Sequence, residues 1–203
     1  MVSGLKLFDL NGKTALITGS SQGIGYALAK GLADAGSDII LNGRNTEKLK
    51  HSAEAINTKQ NIFQLCFDVT NYEQTKRSID KFEKEISPID ILINNAGMQF
   101  RTALEDFPRD KFEELLKTNV SSVFNVSQVV AKYMIKRGEG KIINIASVQT
   151  ALARPGIAPY TATKGAVGNI TKGMATDWAK YGIQCNAICL LYTSPSPRDS
   201  IAS

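Results

Sequence analysis

The 203-residue sequence predicts an α/β domain built on a doubly wound parallel sheet. Short apolar runs alternate with longer amphipathic stretches along nearly the whole chain, the pattern of strands joined by crossover helices. Two of these runs, residues 90–93 and 141–146, are apolar on both faces, as expected for strands that helices cover on both sides. Ligands of such sheets bind outside the carboxyl ends of the strands. We therefore expect the functional residues at strand ends.

The apolar periodicity assigns six strands and five helices to the chain. Strands are predicted at residues 13–18, 38–42, 62–67, 89–93, 141–146 and 183–188. Helices are predicted at residues 23–35, 45–57, 71–86, 108–137 and 159–181, and the fourth could be broken near Thr118. Together they predict one domain with a single sheet.

A glycine-rich turn, TGSSQGIG at residues 18–25, joins the first strand to the first helix. Gly19 permits the turn, Gly23 lets the backbone approach a ligand, and Gly25 allows close packing. Backbone N–H groups and the positive end of the helix dipole meet here, which suits a pyrophosphate. Glycine-rich turns are often only turns, so this one predicts a Rossmann-type dinucleotide site in combination with the rest of the chain.

The later strands also end in residues that could carry chemistry. These are Asn42-Gly43-Arg44-Asn45, Asp68-Val69, Asn94-Asn95-Ala96-Gly97 and Ser147, in chain order. The fifth helix then opens with Tyr160 and Lys164, which are one turn apart and share a face.

Composition excludes several classes of function. With 43% apolar and 21% charged residues, the chain is an ordinary soluble domain with one core. No apolar run approaches the ~18 residues of a membrane span, and residues 1–12 lack the shape of a signal peptide, so a cytoplasmic location without membrane contact is expected. A net charge of +5 mildly favours an anionic ligand, but no basic stripe with interleaved aromatic residues predicts nucleic-acid binding.

Metal and histidine chemistry are also unfavoured. The three cysteines, Cys66, Cys185 and Cys189, have no metal-ligand spacing and are expected to be reduced thiols. His51, the single histidine, lies in a polar helical stretch. No metal site or histidine-based triad is therefore predicted.

The ordered motifs resemble the short-chain dehydrogenase/reductase family over about residues 8–188. The resemblance is carried by TGSSQGIG at 18–25, NNAG at 94–97, Asn119, Ser147 and Tyr160-Thr-Ala-Thr-Lys164. Within the family the chain is similar to the bacterial gluconate 5-dehydrogenases, through residues 94–99 with Arg101 and through residues 154–160. This implies an oxidoreductase that transfers a hydride between NADP(H) and a secondary alcohol or ketone, with D-gluconate and 5-keto-D-gluconate as the expected pair.

The resemblance implies a catalytic set of Asn119, Ser147, Tyr160 and Lys164. Tyr160 would move the proton, Ser147 would bind the reacting oxygen, Lys164 would hold the nicotinamide ribose, and Asn119 would help to keep a relay water. A free tyrosine has a pKa of about 10, which an adjacent ammonium is expected to lower. The structural alternative is a buried tyrosine and a surface lysine on a core helix.

The same Tyr–Lys spacing occurs at two other places in the chain. Tyr26/Lys30 and Tyr72/Lys76 lie on the first and third predicted helices, where each is expected to be a pair on an amphipathic face. Only Tyr160/Lys164 follows a strand that ends in a serine.

The cofactor set follows from the resemblance and from the end of the second strand. It comprises Gly19, Ser21, Gln22, Gly23, Ile24, Gly25, Arg44, Asp68, Val69, Asn95, Ala96 and Gly97, together with Tyr160 and Lys164. Gly43 occupies the slot where a carboxylate would bind a ribose 2′-OH, and Arg44 could accept a 2′-phosphate, so NADP is predicted. Alternatively, Arg44 is a solvent-facing start of the second helix, and Asp68 is a cap or turn residue.

Two arginines could bind the carboxylate of a sugar acid beside Ser147 and Tyr160. Arg101 follows the NNAG motif and Arg154 lies between Ser147 and Tyr160; either could instead be a surface arginine. Two other functions stay open, a ketoreductase like the 3-oxoacyl-[acyl-carrier-protein] reductases and a non-catalytic NADP-binding protein. Family members commonly assemble through the helices at 108–137 and 159–181, so a homodimer or homotetramer is expected for the full-length parent. The segment that builds the tetramer surface is the one missing here, so for this chain a dimer is expected.

The sequence departs from the family pattern after Ile188. The pattern calls there for an Ala-Pro-Gly loop, a substrate-covering segment, a helix and a last strand. Instead, residues 189–203 read CLLYTSPSPRDSIAS, a Ser/Pro-rich stretch that resembles a translated sequencing adapter. We expect residues 1–188 to form an incomplete family domain, whose activity a truncation could remove, and 189–203 to be a non-family tail without regular structure. A natural flexible tail is the alternative.

Overall fold

The computed structural model describes residues 8–191 and contains one six-stranded sheet. All of its strands are parallel, in the order β3-β2-β1-β4-β5-β6. The strands are β1 Thr14–Ile17, β2 Asp38–Gly43, β3 Ile62–Cys66, β4 Ile91–Asn94, β5 Gly140–Ser147 and β6 Ile183–Leu190. The helices are α1 Gly23–Asp34, α2 Thr46–Ala55, α3 Tyr72–Glu85, α4 Arg109–Leu116, α5 Ser122–Arg137 and α6 Ala158–Trp178. The predicted α/β, Rossmann-type fold class is confirmed.

Helices cover the sheet on two faces, and alternate strand residues point to each face. In β1, Ala15 and Ile17 belong to a core that includes α1 and α2, whereas Leu16 belongs to a second core that includes α3, α5 and α6. The strand order reverses between β1 and β4, which are hydrogen-bonded neighbours. Their carboxyl ends therefore open a crevice at the position where such sheets bind ligands.

The long fourth predicted helix carries a π-helical turn. This turn, Lys117–Ser121, joins α4 directly to α5, and the flanking Leu116 and Ser122 keep right-handed helical backbone angles. The expected break near Thr118 is thus a local widening of one continuous helix. Such turns are frequent at functional sites, and this one contains the fully buried Asn119.

Strand β6 forms one edge of the sheet and runs two residues beyond its predicted end. Leu190 is in register with Ser147 of β5, so Cys189 and Leu190 of the predicted tail belong to the sheet. Toward its end, β6 exposes Ile188, and Leu191 follows it, also exposed. Residues 192–203 lie outside the described part of the chain.

Three further features of residues 8–191 concern membrane spans, metal ligands and cysteines. None of the helices in this range is both long and apolar enough to cross a bilayer. The same range contains no cluster of three or more histidine, cysteine or acidic side chains that could hold a metal ion. The three cysteines are free thiols.

Candidate active site

The glycine-rich turn is cross-linked to the loop after β4. The Thr18 hydroxyl accepts hydrogen bonds from the backbone N–H groups of Asn95 and Ala96, both at 3.0 Å. In return, the Asn95 amide donates to the carbonyls of Thr18 at 3.0 Å and Gly19 at 3.1 Å. These bonds join the two segments predicted to bind a dinucleotide into one rigid edge of the crevice.

The glycines of the turn are required by its geometry. Gly19 and Gly23 have φ values of 62° and 60°, in the left-handed region that other residues rarely adopt. A Cβ on Gly25 would lie 2.5 Å from the Asn95 side-chain nitrogen and 2.5 Å from the Gly19 carbonyl oxygen. The start of α1 therefore packs closely against the turn itself and against the loop after β4.

The end of the turn is open and carries unused donors. Gln22, Gly23 and Ile24 are exposed, and Gln22 makes no side-chain hydrogen bond that would cap α1. Within residues 8–191 the first N–H groups of α1 therefore have no side-chain partner, and the positive end of the helix dipole faces the crevice. This is the geometry that an anionic group such as a pyrophosphate needs.

The second strand places Gly43 and Arg44 beside the glycine turn. A Cβ on Gly43 would lie 3.4 Å from the Ser21 hydroxyl oxygen. The side chain of Arg44 is 80% exposed and its guanidinium is 3.8 Å from a carboxylate oxygen of Asp68, so its only close partner within the described residues is a weak one. Asn45, not Arg44, caps α2 by accepting from the N–H of Lys48.

Asp68 and Val69 both have structural roles, and that of Asp68 is the turn proposed as the alternative interpretation. One carboxylate oxygen of Asp68 accepts from both the N–H and the hydroxyl of Thr70, each at 2.8 Å, which stabilises a turn. Val69 is buried in the core. The cap of α3 is Asn71, whose side chain accepts from the N–H of Gln74.

Ser147, Tyr160 and Lys164 line one cavity at the carboxyl end of β5. Ser147 ends the strand, and its hydroxyl oxygen accepts from the Gln149 N–H at 3.2 Å, which leaves the hydroxyl proton free to donate. Lys164 is 7% exposed, and its Nζ donates to the Ile145 carbonyl at 2.6 Å. The same Nζ lies 5.7 Å from the centre of the Tyr160 ring.

Burial controls the protonation of both helix residues. It raises the pKa of Tyr160 above that of a free tyrosine, and the neighbouring Ser147 opposes this only in part. It lowers the pKa of Lys164 to about 8, against a smaller opposing influence of Cys189. The expected lowering of the Tyr160 pKa is thus wrong, because burial of the phenol raises this pKa and the Lys164 ammonium donates to the Ile145 carbonyl instead.

Asn119 acts as a connector between three segments. Its Oδ1 accepts from the Met98 N–H at 2.8 Å, and its Nδ2 donates to the Met98 carbonyl at 2.9 Å and to the Thr163 hydroxyl at 3.1 Å. The π-helical turn, the loop after the NNAG motif and α6 are thereby held together. The side chain fixes the wall of the cavity, and its backbone lies within the widened turn.

The two other Tyr–Lys pairs are placed away from the cavity. Lys30 lies 3.9 Å from Asp34 and Lys76 lies 2.6 Å from Asp80, each on its own helix. Tyr26 and Tyr72 pack against the two cores. Both pairs have the geometry expected for amphipathic helix faces.

Arg101 and Arg154 both line the cavity, which has a volume of about 530 Å³. The loops that carry them are joined by a hydrogen bond from the Thr102 N–H to the Gly156 carbonyl at 3.1 Å. Neither guanidinium has a carboxylate within 4.0 Å in the part of the chain that the structure describes. Two cations therefore face a cavity of the size that small-molecule ligands occupy.

Several cavity residues were not singled out by sequence reasoning. They are Met98, Gln99, Ile145, Ala146, Val148, Gln149, Ile157, Leu190 and Leu191. For Gln149, its position in the sequence between Ser147 and Tyr160 could have indicated that it lies near the cavity. Leu190 and Leu191 were assigned to the tail, and only the pairing of β6 with β5 brings them here.

Comparison with known proteins places this geometry in a family. Residues 13–202 match the family model described as short chain dehydrogenase. The gluconate 5-dehydrogenase of Gluconobacter oxydans (strain 621H) is 54% identical over 185 residues, which cover 90% of this chain and 72% of that protein. The 5-keto-D-gluconate 5-reductase of Escherichia coli (strain K12) is 42% identical, with 90% and 72% covered.

A solved structure is similar to the chain in both fold and sequence. It is a gluconate 5-dehydrogenase from Burkholderia cenocepacia J2315 in complex with NADP and tartrate, with a TM-score of 0.89 and 51% identity, covering 92% of this chain and 73% of that one. The parallel sheet, the glycine turn and the matched sequence together establish that the chain belongs to the short chain dehydrogenase family.

Proposed function

We propose that this protein is an NADP(H)-dependent oxidoreductase that interconverts D-gluconate and 5-keto-D-gluconate. The observation that carries the proposal is one cavity in which Ser147, Tyr160 and Lys164 meet two arginines that have no carboxylate partner among residues 8–191. A sugar acid has a carboxylate for such a cation and a secondary alcohol for the reacting group. The Gluconobacter and Escherichia relatives carry the names of this reaction in its two directions.

The residues at the crevice fit a dinucleotide. The uncapped start of α1 and the open Gly23 would receive the pyrophosphate, and Asn95 to Gly97 would line its path toward Lys164. Ser21, Gln22, Ile24, Asp68 and Val69 are proposed to complete the site. When bound, the nicotinamide supplies or accepts the hydride.

Within the cavity, Tyr160 is proposed to hold and transfer the proton. Because its pKa is raised, it is protonated near neutral pH and can donate to the oxygen of a ketone as that oxygen gains charge. The free Ser147 proton would bind the same oxygen. Lys164 would orient the nicotinamide ribose, and Asn119 would hold the loop of Met98 against α6.

The assay follows 5-keto-D-gluconate reduction through the absorbance of NADPH. We expect turnover with this substrate and slower turnover with 3-oxoacyl thioesters. NADPH binding without turnover by either the chain or the chimaera described next would instead support the non-catalytic alternative. The same assay is run on a chimaera in which the residues after Ile188 are replaced by the C-terminal segment of the Gluconobacter relative, because the chain spans 72% of that protein.

The preference for NADP over NAD is proposed from Gly43 and Arg44. Gly43 leaves no carboxylate for a ribose 2′-OH, and the exposed Arg44 can turn toward a 2′-phosphate. The double variant Gly43→Asp/Arg44→Ala should shift the ratio of kcat/KM for NADPH and NADH roughly tenfold or more toward NADH. An unchanged ratio would contradict the assignment, and a Cβ at Gly43 makes only ordinary contacts, so misfolding is not expected.

Self-association through α4, α5 and α6 is also proposed. Phe112 and Phe124 are exposed on α4 and α5, and a contact between two copies through these helices would cover both rings. A cytoplasmic location remains a prediction.

A further inference from the structure

Gln149 lines the cavity and carries an unpartnered polar atom in its side chain. The residue lies in the 3-10 turn Val148–Thr150 that follows β5, and it is 5% exposed. Its Oε1 is buried without a hydrogen-bond partner, as are only two other side-chain atoms in residues 8–191, on Arg137 and Thr161. Of these three residues, Gln149 alone lines the cavity of Tyr160.

The turn that carries Gln149 is fixed to the reacting residues. Its N–H donates to the Ser147 hydroxyl oxygen, and the next residue, Thr150, donates its hydroxyl to the Lys164 carbonyl at 3.1 Å. A Cβ on Gly168 would lie 2.5 Å from the Thr150 methyl carbon, so only glycine allows α6 to pack this closely. These contacts fix the backbone of Gln149 relative to Ser147 and Lys164.

A buried carbonyl oxygen without a partner is unfavourable, and a ligand that supplies a donor removes the penalty. Carboxylates and ketones offer only acceptors, whereas a hydroxyl group offers a donor. The other groups proposed to bind substrate, Arg101, Arg154 and the Ser147 proton, all donate. Among the groups proposed to bind substrate, the Gln149 carbonyl is thus the hydrogen-bond acceptor.

We propose that Gln149 determines specificity by accepting a hydrogen bond from a hydroxyl group of the substrate. This inference rests on the proposed function and extends it to the recognition of polyhydroxylated chains. A substrate with a methylene at the same place would leave the oxygen unpaired in a closed site and would be selected against. Simple oxo acids and 3-oxoacyl chains would be rejected in this way.

The test compares two substrates of equal carbon skeleton. 5-Keto-D-gluconate and 5-oxohexanoate share the carboxylate and the ketone position, but the second has no hydroxyl groups. In Gln149→Met, which keeps the length of the side chain, kcat/KM for 5-keto-D-gluconate should fall by roughly tenfold or more while that for 5-oxohexanoate stays the same or rises. Gln149→Glu, which keeps an acceptor, should retain more of the wild-type preference than Gln149→Met.

The measurements use the chain and, should it not turn over, the chimaera defined above. An equal loss for both substrates, or no loss for either, would overturn the role of Gln149 while leaving the proposed function intact. Failure of the wild-type protein to reduce 5-keto-D-gluconate in both forms would instead reject the proposed function and this inference with it. Thermal midpoints and NADPH affinity of the variants identify any loss that comes from folding or from cofactor binding.

Discussion

Arg137 and Lys164 are both largely buried cations, but their surroundings differ. Arg137, at the end of α5, donates to a Glu83 carboxylate oxygen at 2.7 Å and to the Ile89 carbonyl at 2.8 Å, and the other Glu83 oxygen accepts from the Ile89 N–H at 3.1 Å. Lys164 has the Ile145 carbonyl and no carboxylate within 4.0 Å among residues 8–191.

The difference separates a structural use of charge from a functional one. At Glu83 each charge has an opposite charge beside it, and the contact joins α3, α5 and the start of β4. At Tyr160 and Lys164 a phenol and an ammonium are desolvated, and residues 8–191 place no carboxylate beside them. Burial therefore raises the pKa of Tyr160 and lowers that of Lys164, so each shift favours the neutral form of its group. Such unfavourable burial is common where a site is prepared for proton transfer.

The largest expected effect is on activity alone. Tyr160→Phe should lower kcat by about 10²–10⁴, because general acid–base catalysis typically contributes this much, while thermal stability and NADPH affinity change little. Tyr26→Phe and Tyr72→Phe are the matched controls and should stay within a few-fold of wild type. If Tyr72→Phe were the inactive variant, the chemistry would lie at Tyr72 and not in the cavity of Tyr160.

The opposite result is expected for Arg137→Met. Breaking a buried pair leaves Glu83 without a partner, and because Arg137 is still 24% exposed we expect a loss of about 2–4 kcal/mol in the free energy of unfolding. Activity per folded molecule should be preserved. Urea unfolding at two pH values measures the change.

The pH dependence of this loss has a defined sign. Burial raises the pKa of the Glu83 carboxyl in the folded state. The contribution of Glu83 to the free energy of unfolding is therefore present at low pH and is lost as pH rises through the folded-state pKa. Without Arg137 that pKa should rise further. The variant should therefore lose more stability at pH 7 than at pH 5, and Glu83→Gln in the same chain should restore part of it. A loss of stability in Arg137→Met that does not depend on pH would mean that the charge of Glu83 is not its cause.

The smallest expected effect is a gain in stability. Lys164→Met removes a cation whose pKa falls from 10.5 to about 8 on folding. Removing the desolvated cation should stabilise the folded state by about 3 kcal/mol, the value of that pKa shift, and losing its hydrogen bond should cost about 1 kcal/mol. The free energy of unfolding of the variant should therefore rise by on the order of 2 kcal/mol at pH 7, while activity is lost.

The gain should also depend on pH. Below pH 8 the folded and unfolded wild-type proteins both hold the proton; between pH 8 and 10.5 only the unfolded state keeps it, so wild-type stability rises through this window. The difference between Lys164→Met and wild type should therefore shrink above pH 8. Thermal unfolding of both proteins from pH 7 to pH 10 tests this. A variant less stable than wild type at pH 7 would show that burial of the Lys164 ammonium does not destabilise the protein.

The sequence anticipates features that depend on local pattern. The alternation of apolar runs predicts all six strands and the parallel sheet, and the break near Thr118 marks the π-helical turn. Features that depend on contacts between distant segments are not predictable in this way. The direction of the Lys164 ammonium depends on the carbonyl of Ile145, nineteen residues away, and the burial of Gln149 depends on how its turn packs against α6.

The cross-linked glycine turn also determines the heat and entropy of cofactor association. Four hydrogen bonds between Thr18 or Gly19 and Asn95 or Ala96 lie entirely within the protein, so the cofactor is not needed to form them. A segment that folds only on binding loses roughly 1–2 kcal/mol of backbone entropy per residue, and this turn avoids most of that loss. Calorimetry should therefore find a heat-capacity change proportional to the apolar area that the cofactor covers, without the larger value of coupled folding.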